Sequence, residues 1–206
     1  MTGLNERPYS AAAERNRIPI GEVLRSCLDA SGSLLEIGAG TGQHAVFMVG
    51  LLPGWRWLPT EHPAQFPLLQ RGLEGIEAAG LCAPLALDVC DVWPQQRFDA
   101  VYSANTAHIM HWKAVEAMFD GVAACLEPHG RFFLYGPFMR GGEHHAPSNA
   151  AFDHSLRARD PGMGVRDLDA LDALAARVGL IRVAELLLPA NNHMLIFEPA
   201  GKHQRD

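Results

Sequence analysis

The segment "LLEIGAGTGQHAVFM", residues 34–48, constrains the fold more than any other part of the chain. An apolar run ends in Glu36 and Ile37. Gly38, Gly40 and Gly42 then fall at every second position, and an apolar run of helical character follows at once. Glycine carries no Cβ, so this spacing suits a tight turn from strand to helix and lets a ligand approach the backbone. The helix start adds free N–H groups. Repeated strand–turn–helix units imply a parallel sheet with helices on both faces.

The rest of the chain repeats the alternation. A helix near residues 19–29 places Pro19 in its first turn. Residues 33–37 read as the first strand, and 44–52 as a buried helix stopped by Pro53 and Gly54. Residues 55–60 read as the second strand, and Phe66, Leu69, Leu73 and Ile76 mark a helix that Gly80 ends. Strands follow at 83–87, 98–104 and 130–136, with a helix through Val115, Phe119, Val122 and Leu126. The last long helix, through Leu168, Leu171, Leu174 and Val178, is capped by Asp167 and ended by Gly179. Strands near 181–188 and 193–198 follow with no helix between them, so the last strand is expected to run antiparallel. The expectation is one α/β domain over residues 1–206 with a mostly parallel seven-stranded sheet. Residues 1–30 form an N-terminal cap segment, and 139–166 a lid insertion in which Ser148 caps a short helix.

Composition narrows the function. Net charge is −6 with no basic stripe, which argues against nucleic acid as a partner. No apolar run is long enough to span a membrane, and the N-terminus lacks the apolar core of a signal peptide. Cys27, Cys82, Cys90 and Cys125 form no CxxC pair and lie in apolar segments, which suits reduced thiols in the cytoplasm. Oligomeric state is left open.

The ligand of the glycine loop is argued from spacing. A dinucleotide fingerprint counted from Gly38 needs its third glycine at Gln43. Counted from Gly40 it needs one at Ala45, a loose match. What fits without strain is acidic-x-G-x-G-x-G: Glu36, Gly38, Gly40, Gly42. Glu61 ends the second strand, where a carboxylate can accept both hydroxyls of a ribose. Asp88 ends the third. A plain strand–turn–helix without a ligand is the simplest competing reading.

The glycine pattern resembles motif one of the class I S-adenosylmethionine-dependent methyltransferases, which have a Rossmann-like fold. The resemblance implies S-adenosyl-L-methionine as cofactor. It also implies that Glu36 orients the loop and the ammonium end, and that Asp88 and the Val89 backbone take the adenine. The segments "ERPYSAAAERNRIPI", "LEIGAGTGQHAVF", "ALDV", "ANTAHI", "LYGPFMRGG", "APSNAAFDHSLRARDP" and "PANNHMLIFE" look like one small family of predicted methyltransferases. That family is a domain of unknown function related to methyltransferase-like protein twenty-six. His145 departs from it locally, standing where a small polar residue is expected. Tyr9, Arg15 and Asn16 of the N-terminal segment are candidates for the methionine carboxylate.

Methyl transfer from a sulfonium needs nucleophile, methyl and sulfur in line, and a base only where the nucleophile must lose a proton. His108 is the first candidate for base or acceptor-orienting group, with Asn105 and Tyr135 beside the same strand ends. Arg140, His144 and Phe138 are candidates for the acceptor, and Arg140 points to a small anionic one. The competing view is that the arginines of the insertion pair with Asp153, Asp160 and Asp167. A non-catalytic regulatory or scaffold protein that binds the same cofactor is the alternative function. Gln43 argues against a nicotinamide-dependent reductase. The ten histidines, including His108, His111, His144, His145, His154 and His193, carry no metal-ligand spacing, so no metal is expected.

Overall fold

The structure is a computed structural model and describes residues 7–201. The described residues divide into two compact units, the first ending at Asp88 and the second beginning at Val89. The first unit contains α1 (Ala11–Cys27), β1 (Gly32–Ile37), α2 (Gln43–Leu51), β2 (Trp55–Glu61), α3 (Phe66–Leu73) and β3 (Leu85–Ala86). The second contains β4 (Phe98–Ala104), α4 (Trp112–Cys125), β5 (Leu126–Gly136), β6 (Phe138–Arg140), β7 (Glu143–His144), α5 (Pro147–Arg159), β8 (Arg166–Asp167), α6 (Leu168–Arg177), β9 (Leu180–Leu188) and β10 (Asn192–Pro199). The seven-stranded sheet has the order β3-β2-β1-β4-β5-β10-β9. Strands β1, β2 and β3 pair in parallel, as do β4 and β5. Strand β10 runs antiparallel to both β5 and β9, as the sequence predicts for the final hairpin.

In the first unit, α1 begins at Ala11, earlier than the sequence reading placed it. The Ser10 hydroxyl accepts from the Ala13 N–H and caps it. The Ala/Glu/Arg-rich run 11–17 therefore belongs to the helix, whose composition favours it. Pro19 lies in the interior, where its missing N–H forfeits one bond of the ladder. Helix α3 stops at Leu73, ahead of Gly75 with φ +69°, not at Gly80. Gly80 serves β2 instead: a Cβ there would strike the Trp55 carbonyl. Leu69 and Leu73 bury themselves with Ala39 of the glycine loop, and Val46 and Phe66 pack around them.

In the second unit, Phe119, Phe132 and Phe197 form an aromatic core. Phe119 meets both partners edge-on at 5.4 Å, within the range aromatic pairs prefer. Helix α6 is capped by the Asp167 carboxylate, which accepts from Asp169 N–H, and it gives way to Gly179 at φ +77°, both as expected. The insertion is more structured than its sequence suggests. Strands β7, β6 and β8 form a separate three-stranded sheet. Helix α5 is entered through Ala146, with Pro147 as its first residue and no side-chain cap; Ser148 lies inside the helix. No described helix is long and apolar enough to cross a membrane. None of the four cysteines is in a disulfide.

Candidate functional site

The three loop glycines are all left-handed, at φ +72° for Gly38, +58° for Gly40 and +76° for Gly42. An L-residue would cost about 1–2 kcal/mol at each. Their surroundings differ. A Cβ on Gly42 would lie 2.6 Å from Leu73 Cδ2 and 3.2 Å from Leu69 Cδ1, so this glycine lets α3 close over the loop. A Cβ on Gly40 would meet no described atom within 4 Å, so the space beside its backbone is open. The Gly40 N–H donates to Glu61 Oε2 at 2.7 Å, and Glu61 Oε1 accepts from His62 N–H at 2.8 Å. The carboxylate at the end of β2 is thus aimed at the glycine loop and remains partly exposed. The open space at Gly40 with a carboxylate on its N–H fits a ligand that has hydroxyls to donate.

Glu36 is buried, and its Oε2 accepts from the Trp57 indole N–H at 2.7 Å. Burial lifts its pKa to about 7; the Trp57 bond opposes this and the charge of Glu61 adds to it. Sequence reasoning missed Trp57. The parallel register, Leu34 with Trp57 and Glu36 with Pro59, puts the two side chains on one face. Asp88 stands 3.3 Å from His62 Nε2.

The N-terminal candidates separate. Tyr9 and Arg15 are exposed, whereas Asn16 Oδ1 pairs with His44 Nε2 at 2.8 Å. His44 is buried, and burial lowers its pKa to about 4, with a hydrogen bond to the Ala13 backbone opposing. Gln43 accepts from the Ser10 N–H and from the Thr41 hydroxyl, tying the start of α1 to the loop. A cavity of about 160 Å³ lies beside this contact, lined in part by Arg7, Arg17, Thr41, Gln43, Val46 and Phe47.

In the second unit, Asn105 adopts φ +59°, and its N–H donates to the Tyr135 carbonyl at 2.9 Å. Asparagine tolerates this left-handed backbone better than most residues. Tyr135 is buried on β5. His108 is buried and edge-on to Phe152 of α5 at 5.1 Å; a Cβ on Gly136 would come within 3.6 Å of its Nδ1. Burial, then the charge of Arg166, lowers the pKa of His108 to about 4. Arg166 is one of the arginines of the insertion, which the sequence offered to an anionic acceptor or to aspartates, and its hydrogen bonds go to backbone carbonyls. Its guanidinium donates to the carbonyls of Ala107, Met110 and Gly162, fixing the segment that carries His108.

The acceptor candidates are spread. Phe138 is buried, with its ring edge-on to His193 at 6.4 Å. Arg140 is half-exposed and pairs with Glu185 at 2.6 Å. His144 Nε2 lies 3.4 Å from Asp153, while its Nδ1 is buried without a partner among the described residues. Of the arginine–aspartate pairs expected within the insertion, Arg157 does meet Asp153, at 3.0 Å. Asp160 takes His111 instead, and Asp167 takes backbone N–H groups.

A family model described as protein of unknown function (DUF938) matches residues 7–199, and the chain belongs to that family. Among solved structures the fold is similar to that of the mitomycin 7-O-methyltransferase MmcR, at TM-score 0.78 and 21% identity over 92% of this chain and 56% of that one. It is also similar to the SAH-bound form of CalO1, a methyltransferase in calicheamicin biosynthesis, at TM-score 0.75 and 13% identity over 92% and 54%. An O-methyltransferase family 2 protein from Planctomyces limnophilus, in complex with apigenin, matches at TM-score 0.74 and 15% identity over 91% and 59%. The chain therefore spans little more than half the length of each, and at such identities the shared feature is the fold.

Proposed function

We propose that this DUF938-family chain is an S-adenosylmethionine-dependent methyltransferase, the whole chain forming one such domain, acting on a small-molecule acceptor. The observation that carries the reading is the left-handed glycine loop, open at Gly40, with the Glu61 carboxylate seated on the Gly40 N–H. The methyltransferase fold of the solved structures supports it, as does the kinship with methyltransferase-like protein twenty-six that the sequence motifs suggest. Gln43 supports it against a dinucleotide. That side chain is occupied by Ser10 and Thr41 where the fingerprint would need a glycine.

S-adenosylmethionine, when bound, supplies an electrophilic methyl group on a sulfonium. Glu61 accepts the ribose hydroxyls while keeping the loop N–H, since a carboxylate offers about four lone-pair sites. Asp88 and the Val89 backbone hold the adenine. Glu36 braces the loop from beneath. Arg15, Asn16 and Tyr9 serve the carboxylate end. His108 is neutral at physiological pH because its pKa is about 4. Such an imidazole is a weak base but a good hydrogen-bond acceptor, so it aligns the nucleophile more than it deprotonates it. Asn105 and Tyr135 complete the acceptor contacts with Phe138 and His144, under residues 139–166. An anionic acceptor would exchange with Glu185 for Arg140. Cysteines held in no disulfide suit the reducing cytoplasm.

The second reading is a non-catalytic protein that binds the same cofactor. The packing of Phe152 against a buried His108 favours it, because a lid side chain stands where an acceptor would contact the imidazole. Turnover with isotope-labelled S-adenosylmethionine over a panel of small phenols, amines and carboxylates separates the two. Label transfer supports catalysis. Saturable cofactor binding with no transfer to any acceptor supports the regulatory reading, and no cofactor binding overturns both.

A further inference from the structure

We propose that His145, Glu185 and His193 form a binding site for one divalent transition-metal ion of the zinc class. The inference does not rest on methyl transfer, although the site shares Arg140 with the proposed acceptor contacts. The residues come from separate places: His145 follows β7, Glu185 lies on β9 and His193 on β10. The antiparallel register pairs Leu195 with Glu185 and His193 with Leu187, which sets Glu185 and His193 as diagonal neighbours on one face. One ligand atom from each of the three lies within 4.8 Å of the others. His193 Nδ1 is 2.9 Å from Glu185 Oε1, and the His145 and His193 rings are 4.8 Å apart at their centroids.

Three features suit an ion here. First, His193 is 5% exposed and its Nδ1 meets Glu185 Oε1 directly, so one ion can take the place of the proton between them. Second, the carboxylate is already oriented. Arg140 and Arg182 both bind Glu185 Oε2, at 2.6 and 2.8 Å, leaving Oε1 turned to the histidine. Such outer bonds are what fixes a metal ligand in place. Third, the charges allow a cation. Arg182 is held in turn by Asp172 through two bonds, so two arginines face two carboxylates and the formal sum is zero with neutral imidazoles.

The donor set selects the ion. Two imidazoles and a carboxylate suit zinc, nickel or copper, whereas magnesium and calcium prefer all-oxygen shells. Ligand atoms about 2.1 Å from one ion stand roughly 3–4 Å apart, so the outermost of these three must move in by about an ångström. His145 is exposed and free to swing on its side-chain torsions. The bound ion would pin the segment after β7 to the β9–β10 hairpin.

The test is a cobalt(II) titration of untagged protein, followed by visible absorption and by competition. The expected result is saturable one-to-one uptake with nitrogen-ligated bands, displaced by zinc and not by excess magnesium. His145→Ala and His193→Ala should each weaken uptake by at least about tenfold. His129→Ala, whose imidazole sits on Asp99, should leave it unchanged. Absence of saturable uptake overturns the site, as does equal loss in the His129 variant. If His193→Ala does not fold, the exposed His145 decides alone: cobalt affinity unchanged in His145→Ala overturns the proposal.

Discussion

Alanine at Gly40 and at Gly42 separates a glycine needed for the fold from one needed for the ligand. Both positions are left-handed, so either alanine costs about 1–2 kcal/mol in backbone strain. At Gly42 the new methyl also lands 2.6 and 2.9 Å from Leu73 carbons, well inside the roughly 3.5–4.0 Å of an ordinary contact. Overpacking of that kind adds about 1–3 kcal/mol. The total for Gly42→Ala is therefore about 2–5 kcal/mol. At about 2–4 °C per kcal/mol for a chain of this size, the melting temperature falls by roughly 4–20 °C. At Gly40 no described atom opposes the methyl, so only the backbone term applies and the fall is roughly 2–8 °C. The open space that spares stability is where the cofactor is placed, so Gly40→Ala should lose at least about tenfold in affinity for S-adenosylhomocysteine. Differential scanning fluorimetry reads the first quantity and titration calorimetry the second. Gly40→Ala binding as tightly as the parent, or Gly42→Ala melting no lower than Gly40→Ala, would refute the reasoning.

Further outcomes follow from the same geometry. Burial raises the pKa of Glu36 from its ordinary 4.5 to about 7, so the folded state holds its proton more tightly. Its contribution to stability is complete below the unfolded pKa and is lost as pH rises through about 7; the loss is on the order of 3 kcal/mol. Denaturant melts of Glu36→Gln, which cannot titrate, should lack that decline, and an unaltered decline would assign it to another group. Glu61→Ala should weaken cofactor binding by about 1–3 kcal/mol, and an unchanged dissociation constant would remove the ribose role. Arg140→Lys should shift stability by no more than about 1 kcal/mol, because its pair with Glu185 is half-exposed. If Arg140 clamps an anionic acceptor, the same variant loses acceptor affinity at constant cofactor affinity. With His108 neutral throughout, the methyl-transfer rate should show no His108-dependent inflection near ~6.5; such a step, lost in His108→Ala, would make it a true base.

Local chemistry made most elements of the first unit readable from the chain. The apolar run into Glu36, the glycine spacing and the stop at Pro53 mark β1 and α2 within a residue of where they stand. What misled were signals that serve two purposes. Pro19 marks a helix start in most contexts, but here the Ser10 cap and the Ala-rich run outweigh it. Gly80 has the positive φ of a helix stop, yet it permits a close approach to Trp55 while Gly75 follows the end of α3. Strands β6, β7 and β8 are only two or three residues long, too short to display a period. The candidate site was legible where one strand end carries one residue, as at Glu61. It was not legible where strand register decides contact, as for Glu36 with Trp57 and Glu185 with His193, because pairing is absent from the linear order.

The most direct test of the account is titration calorimetry of the folded chain with S-adenosylmethionine and S-adenosylhomocysteine, with NADH as competitor. One saturable site, weakened in Gly40→Ala and Glu61→Ala and untouched by NADH, is the predicted result. No measurable binding of either form, or displacement of either by NADH, would contradict it.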